Sequence, residues 1–274
     1  MKMVLKDGKR KTLTLSYDDG VVQDIRLIEI MNKYGIKGTF NVNSGSWLAE
    51  DKVREKFYGR LKLSEAKQLY INSGHEVAVH SYTHPFLEQL DSSEVIYEIT
   101  QDRLALEKDF GKITRGMAYP MGTYSEDVIE ALDKCGVVYS RTTKATYGFK
   151  FPERWLELHP TCHHRDERLF ELTERFVSEP SRWGNAQMFY LWGHSYEFDN
   201  DDNWDRIEKF CQIAGGHRDI WYTTNIEIYD YVKAYNSLNT SYDKKMIHNP
   251  SGMDVWFDIN GEIYSVKPGE TIKL

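Results

Sequence analysis

The chain is poor in cysteine, with Cys135, Cys162 and Cys211 the only three in 274 residues. They show no C-x-x-C spacing and their number is odd, which excludes a zinc ribbon or a disulfide framework as the basis of the fold. Long apolar runs are also missing. No segment approaches the length of a membrane span, and Met1 to Gly20 holds no stretch of signal-peptide type. As written, the chain is expected to be soluble and cytoplasmic; an exported form trimmed of its signal would read the same. Positive charge is in deficit, at 35 Lys and Arg against 42 Asp and Glu, for a net charge of −7. That argues against sequence-independent binding of nucleic acid or of an acidic membrane. No strand is followed by G-x-G-x-x-G, so a dinucleotide-binding sheet is not indicated, and no H-E-x-x-H protease motif occurs.

Hydrophobic residues make up 41% of the chain, enough for a substantial core, and aromatics are abundant, with 18 Tyr, 12 Phe and 7 Trp. Strand-like and helix-like patterns alternate. Leu13-Thr14-Leu15-Ser16-Tyr17 reads as a strand, and 24–34 as a helix ended by Gly35. Ile36 to Val42 is a strand, 64–73 a helix and Glu76 to Val79 a short buried strand. A long helix is capped by Ser92 or Ser93 and closed by Gly111. Strands follow near Gly116 to Tyr119 and Val137 to Tyr139, around a helix capped by Ser125. Trp155 to Leu158 is expected as a strand, Phe170 to Phe176 as a helix, Met188 to Trp192 as a strand and 204–214 as a helix. Ile220 to Tyr222 then forms a strand, and Thr224 with Glu227 makes a capping box for the last helix. This order predicts a parallel sheet with crossover helices, in number and length suited to a closed or nearly closed β/α barrel over residues 1–236. From 237 to 274 the pattern changes to alternating runs around Asn260-Gly261, a small β-hairpin appendage.

Polar residues gather where the strands end. The first strand ends in Asp18 and Asp19, the second in Asn41 and Asn43, and the third in His80 with His84 beyond. Later strands end at Arg141, His159 and His194, with Glu197 close by. In a β/α barrel these positions share one mouth, where sites form. His80 and His84, at i and i+4, reach one cation if a helical turn begins there. Two His and one carboxylate suit Zn²⁺ acting on water, and they also describe non-haem iron sites. The second aspartate favours hydrolysis: one carboxylate binds metal while its neighbour takes a proton from water, and His194 serves as general acid.

In this order, Ser16-Tyr17-Asp18-Asp19-Gly20, His80-Ser81-Tyr82-Thr83-His84-Pro85, Tyr119-Pro120-Met121-Gly122 and Leu191-Trp192-Gly193-His194 resemble the motifs of the polysaccharide deacetylase family, the NodB-homology domain of carbohydrate esterase type. The segment Tyr34 to Phe40 is similar as well, and the resemblance covers roughly 11–235. It implies a distorted β/α barrel and a divalent metal, Zn²⁺ first with Co²⁺ or Ni²⁺ as alternatives. The ligands would be Asp19, His80 and His84, with Asp18 as base, His194 protonating the leaving amine and the backbone N–H of Tyr119 holding the oxyanion. Where the family has an arginine before its tyrosine-proline pair, this chain has Ala118; Arg141 is the preferred substitute. The acidic residue that orients the catalytic histidine is not evident at 140–144, and Glu197 or Glu157 could serve.

His159, Cys162, His163 and His164 form a second polar cluster, readable as a substrate-contacting loop or an extra ligand. A solvated loop is expected for His163 and His164. Trp192, Tyr82, His159 and Glu197 are candidate substrate contacts, and Tyr196 could also stack on a sugar. The expected activity is metal-dependent removal of N-acetyl groups from an amino sugar or N-acetylated polysaccharide. Alternatives are deacylation of a non-sugar amide or an O-acetyl ester, and a catalytically silent carbohydrate-binding barrel. The expected partner is a carbohydrate or other acylated small molecule, with no nucleic acid or membrane; the sequence leaves the oligomeric state open.

Overall fold

The computed structural model describes residues 1–53, 59–181 and 184–274. The first half of the barrel comprises β2 (Lys11–Asp18), α1 (Asp24–Lys33), β3 (Gly38–Val42), α2 (Leu63–Tyr70), β4 (Glu76–Val79), α3 (Ser92–Phe110), β5 (Gly116–Ala118), α4 (Glu126–Lys134) and β6 (Tyr139–Arg141). The second half comprises β7 (Cys162–His163), α5 (Leu169–Ser178), β8 (Gln187–Gly193), α6 (Glu197–Asn200), α7 (Trp204–Ala214), β9 (Ile220–Tyr222) and α8 (Asn225–Asn236). The strands form one parallel sheet in the order β6-β5-β4-β3-β2-β8-β7, with β9 also paired to β2. The two outer edges meet through the segment between them. Leu158 bridges to Arg141 on β6, and Cys162, four residues on, pairs with Leu191 on β8. The result is the distorted barrel expected.

β2 is its axis. All eight residues are buried although they alternate in polarity. Leu13, Leu15 and Tyr17 pack under the surrounding helices with Leu27, Met31 and Phe40. Their neighbours form polar links: Thr14 Oγ1 donates to Asn225 Oδ1 (3.0 Å), and Ser16 Oγ accepts from Asn41 Nδ2 (2.8 Å). Period-two alternation therefore puts Asp18 in phase with Thr14 and Ser16, on the polar side.

Two local expectations are corrected. Trp155–Glu157 is a single 3-10 turn and not a strand, and the residue after it, Leu158, makes an isolated bridge to Arg141. The cap of α3 is Asp91, which accepts from both Ser93 and Glu94 N–H groups, so neither Ser92 nor Ser93 takes that place. The capping box of Thr224 and Glu227 on α8 is present as expected.

The tail holds β10 (Asn239–Thr240), β11 (Met246–His248), β12 (Val255–Ile259), β13 (Glu262–Val266) and β14 (Thr271–Lys273). β12 and β13 form the hairpin around Asn260-Gly261. β1 (Lys2–Val4), which no sequence pattern announces, pairs antiparallel with β12. No helix among the described residues is long and apolar enough to cross a membrane.

Candidate active site

Asp18 is the last residue of β2 and lies 2% exposed. Its Oδ1 accepts from Asn41 Nδ2 (2.8 Å), and its Oδ2 accepts from the Arg141 guanidinium at the end of β6. Arg141 is buried as well, and the Trp192 ring lies 4.3 Å from its guanidinium carbon. Arg141 is thus the arginine paired with Asp18, at the end of a different strand from Ala118. Arg115 is instead paired with Asp230 (2.7 Å). Burial pushes the Asp18 carboxyl up; Arg141, His80, His194 and the Asn41 bond outweigh it and hold the group below its ordinary value. A buried carboxylate kept ionised and within reach of imidazoles is a candidate base.

The next residue turns away. Asp19 has a left-handed φ of 86°, followed by Gly20 at 62°. Alternation along a continuing strand would send the two adjacent carboxylates to opposite faces; with this reversal both lie near the His80 ring. Asp19 Oδ1 accepts from Arg60 (3.0 Å) and lies 3.8 Å from His84 Nε2. One ligand atom each from Asp19, His80 and His84 lies within 4.8 Å of the others.

The two histidines do not converge by a helical turn, the geometry that i, i+4 spacing predicts. β4 ends at Val79, and no helix begins before Leu87. Ser81 and His84 instead take positive φ values of 62° and 63°. Ser81 Oγ accepts from the His84 N–H (3.1 Å), and Asn43 Nδ2 donates to the Ser81 carbonyl (3.0 Å). The rings meet edge to face at 4.8 Å. His80 Nδ1 lies 2.8 Å from the Ala118 carbonyl. A carbonyl only accepts, so Nδ1 carries the proton and Nε2 keeps a lone pair. Burial lowers the His80 imidazole to about 4, so it is neutral at pH 7 and fit to bind a cation. Behind it, Asp102 of α3 accepts the backbone N–H groups of His80 (3.0 Å) and Ser44 (2.7 Å).

His194 lies just beyond β8. Its Nε2 is 3.8 Å from Asp18 Oδ2, and its Nδ1 is 3.4 Å from Glu197 Oε2. Glu197 Oε2 also accepts the His194 backbone N–H (3.1 Å), and Oε1 accepts from Arg165 (2.7 Å). Burial opposes the His194 charge, but Glu197, Asp18 and Asp19 outweigh it and raise the imidazole above its ordinary value. Burial likewise pushes the Glu197 carboxyl up, and His163 and His194 hold it well below the usual range. The carboxylate facing His194 is therefore Glu197, three residues along the same chain at the start of α6. Glu157 bonds Tyr124 (3.0 Å) and Arg154 (2.8 Å). Both Glu197 oxygens are taken up by protein groups, Oε1 by Arg165 and Oε2 by His163, His164 and His194.

His163 and His164 are also brought here, with Nε2 atoms 3.1 and 3.2 Å from Glu197 Oε2. His164 is buried, not part of a solvated loop, and its ring stacks on Phe198 at 4.2 Å. A Cβ at position 193 would lie 2.1 Å from His164 Nδ1, so Gly193 admits the ring.

The Tyr119 N–H expectation fails: that group donates to the Arg141 carbonyl (3.0 Å) and is spent in the sheet. Trp192 remains at the mouth, covering Arg141. Tyr82 lies across Gly45 in the loop after β3. His159 Nδ1 meets Thr142 Oγ1 (2.6 Å) and, with Phe149, Phe151 and Glu157, lines a cavity of about 600 Å³ beside β6. Sequence reasoning does not find Arg60, Arg165 or Asp102. Only Asp102 leaves a signal, a charge on the apolar face of α3 between Ile99 and Leu106.

Residues 5–140 match the model of the polysaccharide deacetylase family, a span that includes Asp18, Asp19, His80 and His84. The chain belongs to the polysaccharide deacetylase family. Its fold is similar to a candidate polysaccharide deacetylase from Mycobacterium smegmatis, at TM-score 0.62 and 18% identity, over 86% of this chain and 94% of that one. It is also similar to a family 4 acetyl xylan esterase from Clostridium thermocellum, solved with a cobalt ion (TM-score 0.50, 16% identity, 80% and 90% covered). A CE4-family pseudoenzyme from Bacillus anthracis aligns at TM-score 0.50 and 18% identity, over 80% and 65%. Among curated proteins, the uncharacterized YlxY of Bacillus subtilis is 25% identical over 105 residues, 38% of this chain and 29% of that protein. The chain thus spans less than a third of that relative. Enzyme and pseudoenzyme share this deacetylase fold, so activity has to be argued from the side chains.

Proposed function

We propose that this deacetylase-family chain is a metal-dependent hydrolase that removes N-acetyl groups from an amino sugar or an N-acetylated polysaccharide. The observation that carries the reading is the placing of Asp18 between two imidazoles. Its Oδ2 lies 3.8 Å from His80 Nε2 on the ligand side and 3.8 Å from His194 Nε2 on the other. One group is held ionised and the other is favoured as a cation, the pair of states that base and acid chemistry at one bond needs.

Asp19, His80 and His84 have the donor set of a Zn²⁺ site with open positions, and Co²⁺ or Ni²⁺ fits the same donors. The cation would supply Lewis-acid polarisation of the acyl carbonyl and of water. Asp18 takes the proton of the attacking water, with Arg141 and Asn41 fixing its orientation. His194, charged through Glu197, gives a proton to the leaving nitrogen, without which the C–N bond does not break.

The test is acetate release from acylated sugars, amides and esters after loading with zinc, cobalt or nickel. Free amine with acetate is the expected product. Alcohol in its place reassigns the chain to ester hydrolysis, and sugar binding without acetate release makes it a silent binding barrel.

A further inference from the structure

We propose that His163, His164 and Glu197 form a second, weaker site for a zinc-like divalent cation, whose filling takes Glu197 away from His194. One ligand atom from each of the three lies within 4.8 Å of the others. The two Nε2 atoms stand 3.1 and 3.2 Å from Glu197 Oε2. Donor–zinc lengths of about 2.0–2.1 Å put neighbouring donors about 3.3–3.4 Å apart in a tetrahedron, so these spacings are close to those of a loaded site. Two imidazoles and a carboxylate are also the donor types that select zinc over magnesium or calcium.

His164 points independently to a ligand. It is 1% exposed, and among the described residues neither ring nitrogen makes a hydrogen bond. A buried imidazole with no partner is costly, and its Nε2 faces the carboxylate without aligning an N–H on it. His163 is 22% exposed, which leaves a path for the cation and an open position for water. The Arg165 charge on Glu197 Oε1 is offset by Asp201 (2.6 Å), and Oε2 is the oxygen turned to the imidazoles.

The site is the weaker of the two for a structural reason. His163 Nδ1 accepts the Arg165 backbone N–H (3.1 Å), so without a cation its proton sits on Nε2. Binding at Nε2 needs the other tautomer, with the proton on Nδ1, and so gives up the Arg165 bond. Once the cation holds Oε2, that oxygen no longer partners His194 Nδ1. The effect on turnover rests on the acid role given to His194 above; the binding itself does not.

The test starts from the chain loaded with one equivalent of zinc, titrated with more zinc by calorimetry and metal analysis. Wild type is expected to take a second equivalent, His163→Ala to lose it and His163→Cys to restore it. Filling the second site should cut wild-type turnover tenfold or more and leave His163→Ala insensitive to excess zinc. His163→Gln, which keeps a polar amide and offers no imidazole, repeats the test if the alanine variant does not fold. A wild type that takes no second equivalent, or a His163→Ala protein that still takes it, overturns the site; full turnover with both equivalents bound overturns the link to His194. Asp19→Ala separates the two readings. It should keep the second equivalent and lose the first, and if it keeps both, the ligand assignment under the proposed function falls while this site stands.

Discussion

Each end of the barrel buries a carboxylate, and the two titrate in opposite directions. Asp18, at the mouth, faces Arg141, His80 and His194 and is held below its ordinary value. Glu76, at the opposite end of the strands, accepts from Tyr139 (2.7 Å), Thr39 (2.8 Å) and the Ile226 N–H (3.0 Å). Burial raises it to about 7, because neutral donors do not offset the loss of water as cations do. Both carboxylates are fully hydrogen-bonded. The difference is charge on the partner, and it separates the proposed base from a piece of scaffold.

Removing the proposed base is the hardest test of that contrast. Asp18→Asn keeps the shape of the side chain and one acceptor oxygen, turns an NH2 toward one of the two donors, Asn41 or Arg141, and loses the carboxylate, so acetate release should fall by about 10³–10⁴-fold with metal content unchanged. An active variant would place the base elsewhere. Arg141→Met removes the cation and leaves Asp18 buried without its partner. Urea unfolding should show a loss of about 3–5 kcal/mol, as for other broken buried pairs, together with a large fall in turnover. Glu197→Gln leaves Asp18 alone and weakens the acid. Glu197 favours charged His194, so its loss should move the high-pH limb of the rate profile to lower pH, with kcat down about tenfold and KM nearly unchanged. A profile that does not move would free His194 from Glu197.

Glu76→Gln should change activity least. Glu76 is raised to about 7 from an ordinary value of 4.5, so folding favours its protonated form. Its contribution to stability is complete below the unfolded value and is lost as pH rises through about 7. Wild type should therefore lose thermal stability between about pH 5 and pH 8 more steeply than Glu76→Gln, read from Tm at the two values. Equal slopes would mean that Glu76 is already ionised in the folded protein.

Much of the mouth is legible in the sequence because strand ends converge whatever the details of each turn. Asp18, His80, Arg141 and His194 stand out as the polar residues that close the apolar runs. How those side chains reach one another is less legible. His80 and His84 meet through two left-handed residues, and a spacing of four reads equally as a helical turn. His164 reads as solvated because β7 is only two residues long, too short for an alternation to reveal a buried face. Glu197 is visible near His194, yet its role depends on Arg165 and on two imidazoles from another strand. β1 is three residues long and pairs with β12 near the far end of the chain, a contact no local pattern records.

The closure of the barrel bears on the charge at its mouth. Arg141 lies in the seam: Leu158 N–H reaches the Ser140 carbonyl (2.9 Å) and Thr142 N–H reaches the Leu158 carbonyl (3.1 Å). On its other side Arg141 is tied to β5, its carbonyl accepting the Tyr119 N–H (3.0 Å). The guanidinium that holds the Asp18 carboxyl below its ordinary value therefore stands at the joint of the barrel, and one residue serves both the closure of the sheet and the charge at its mouth.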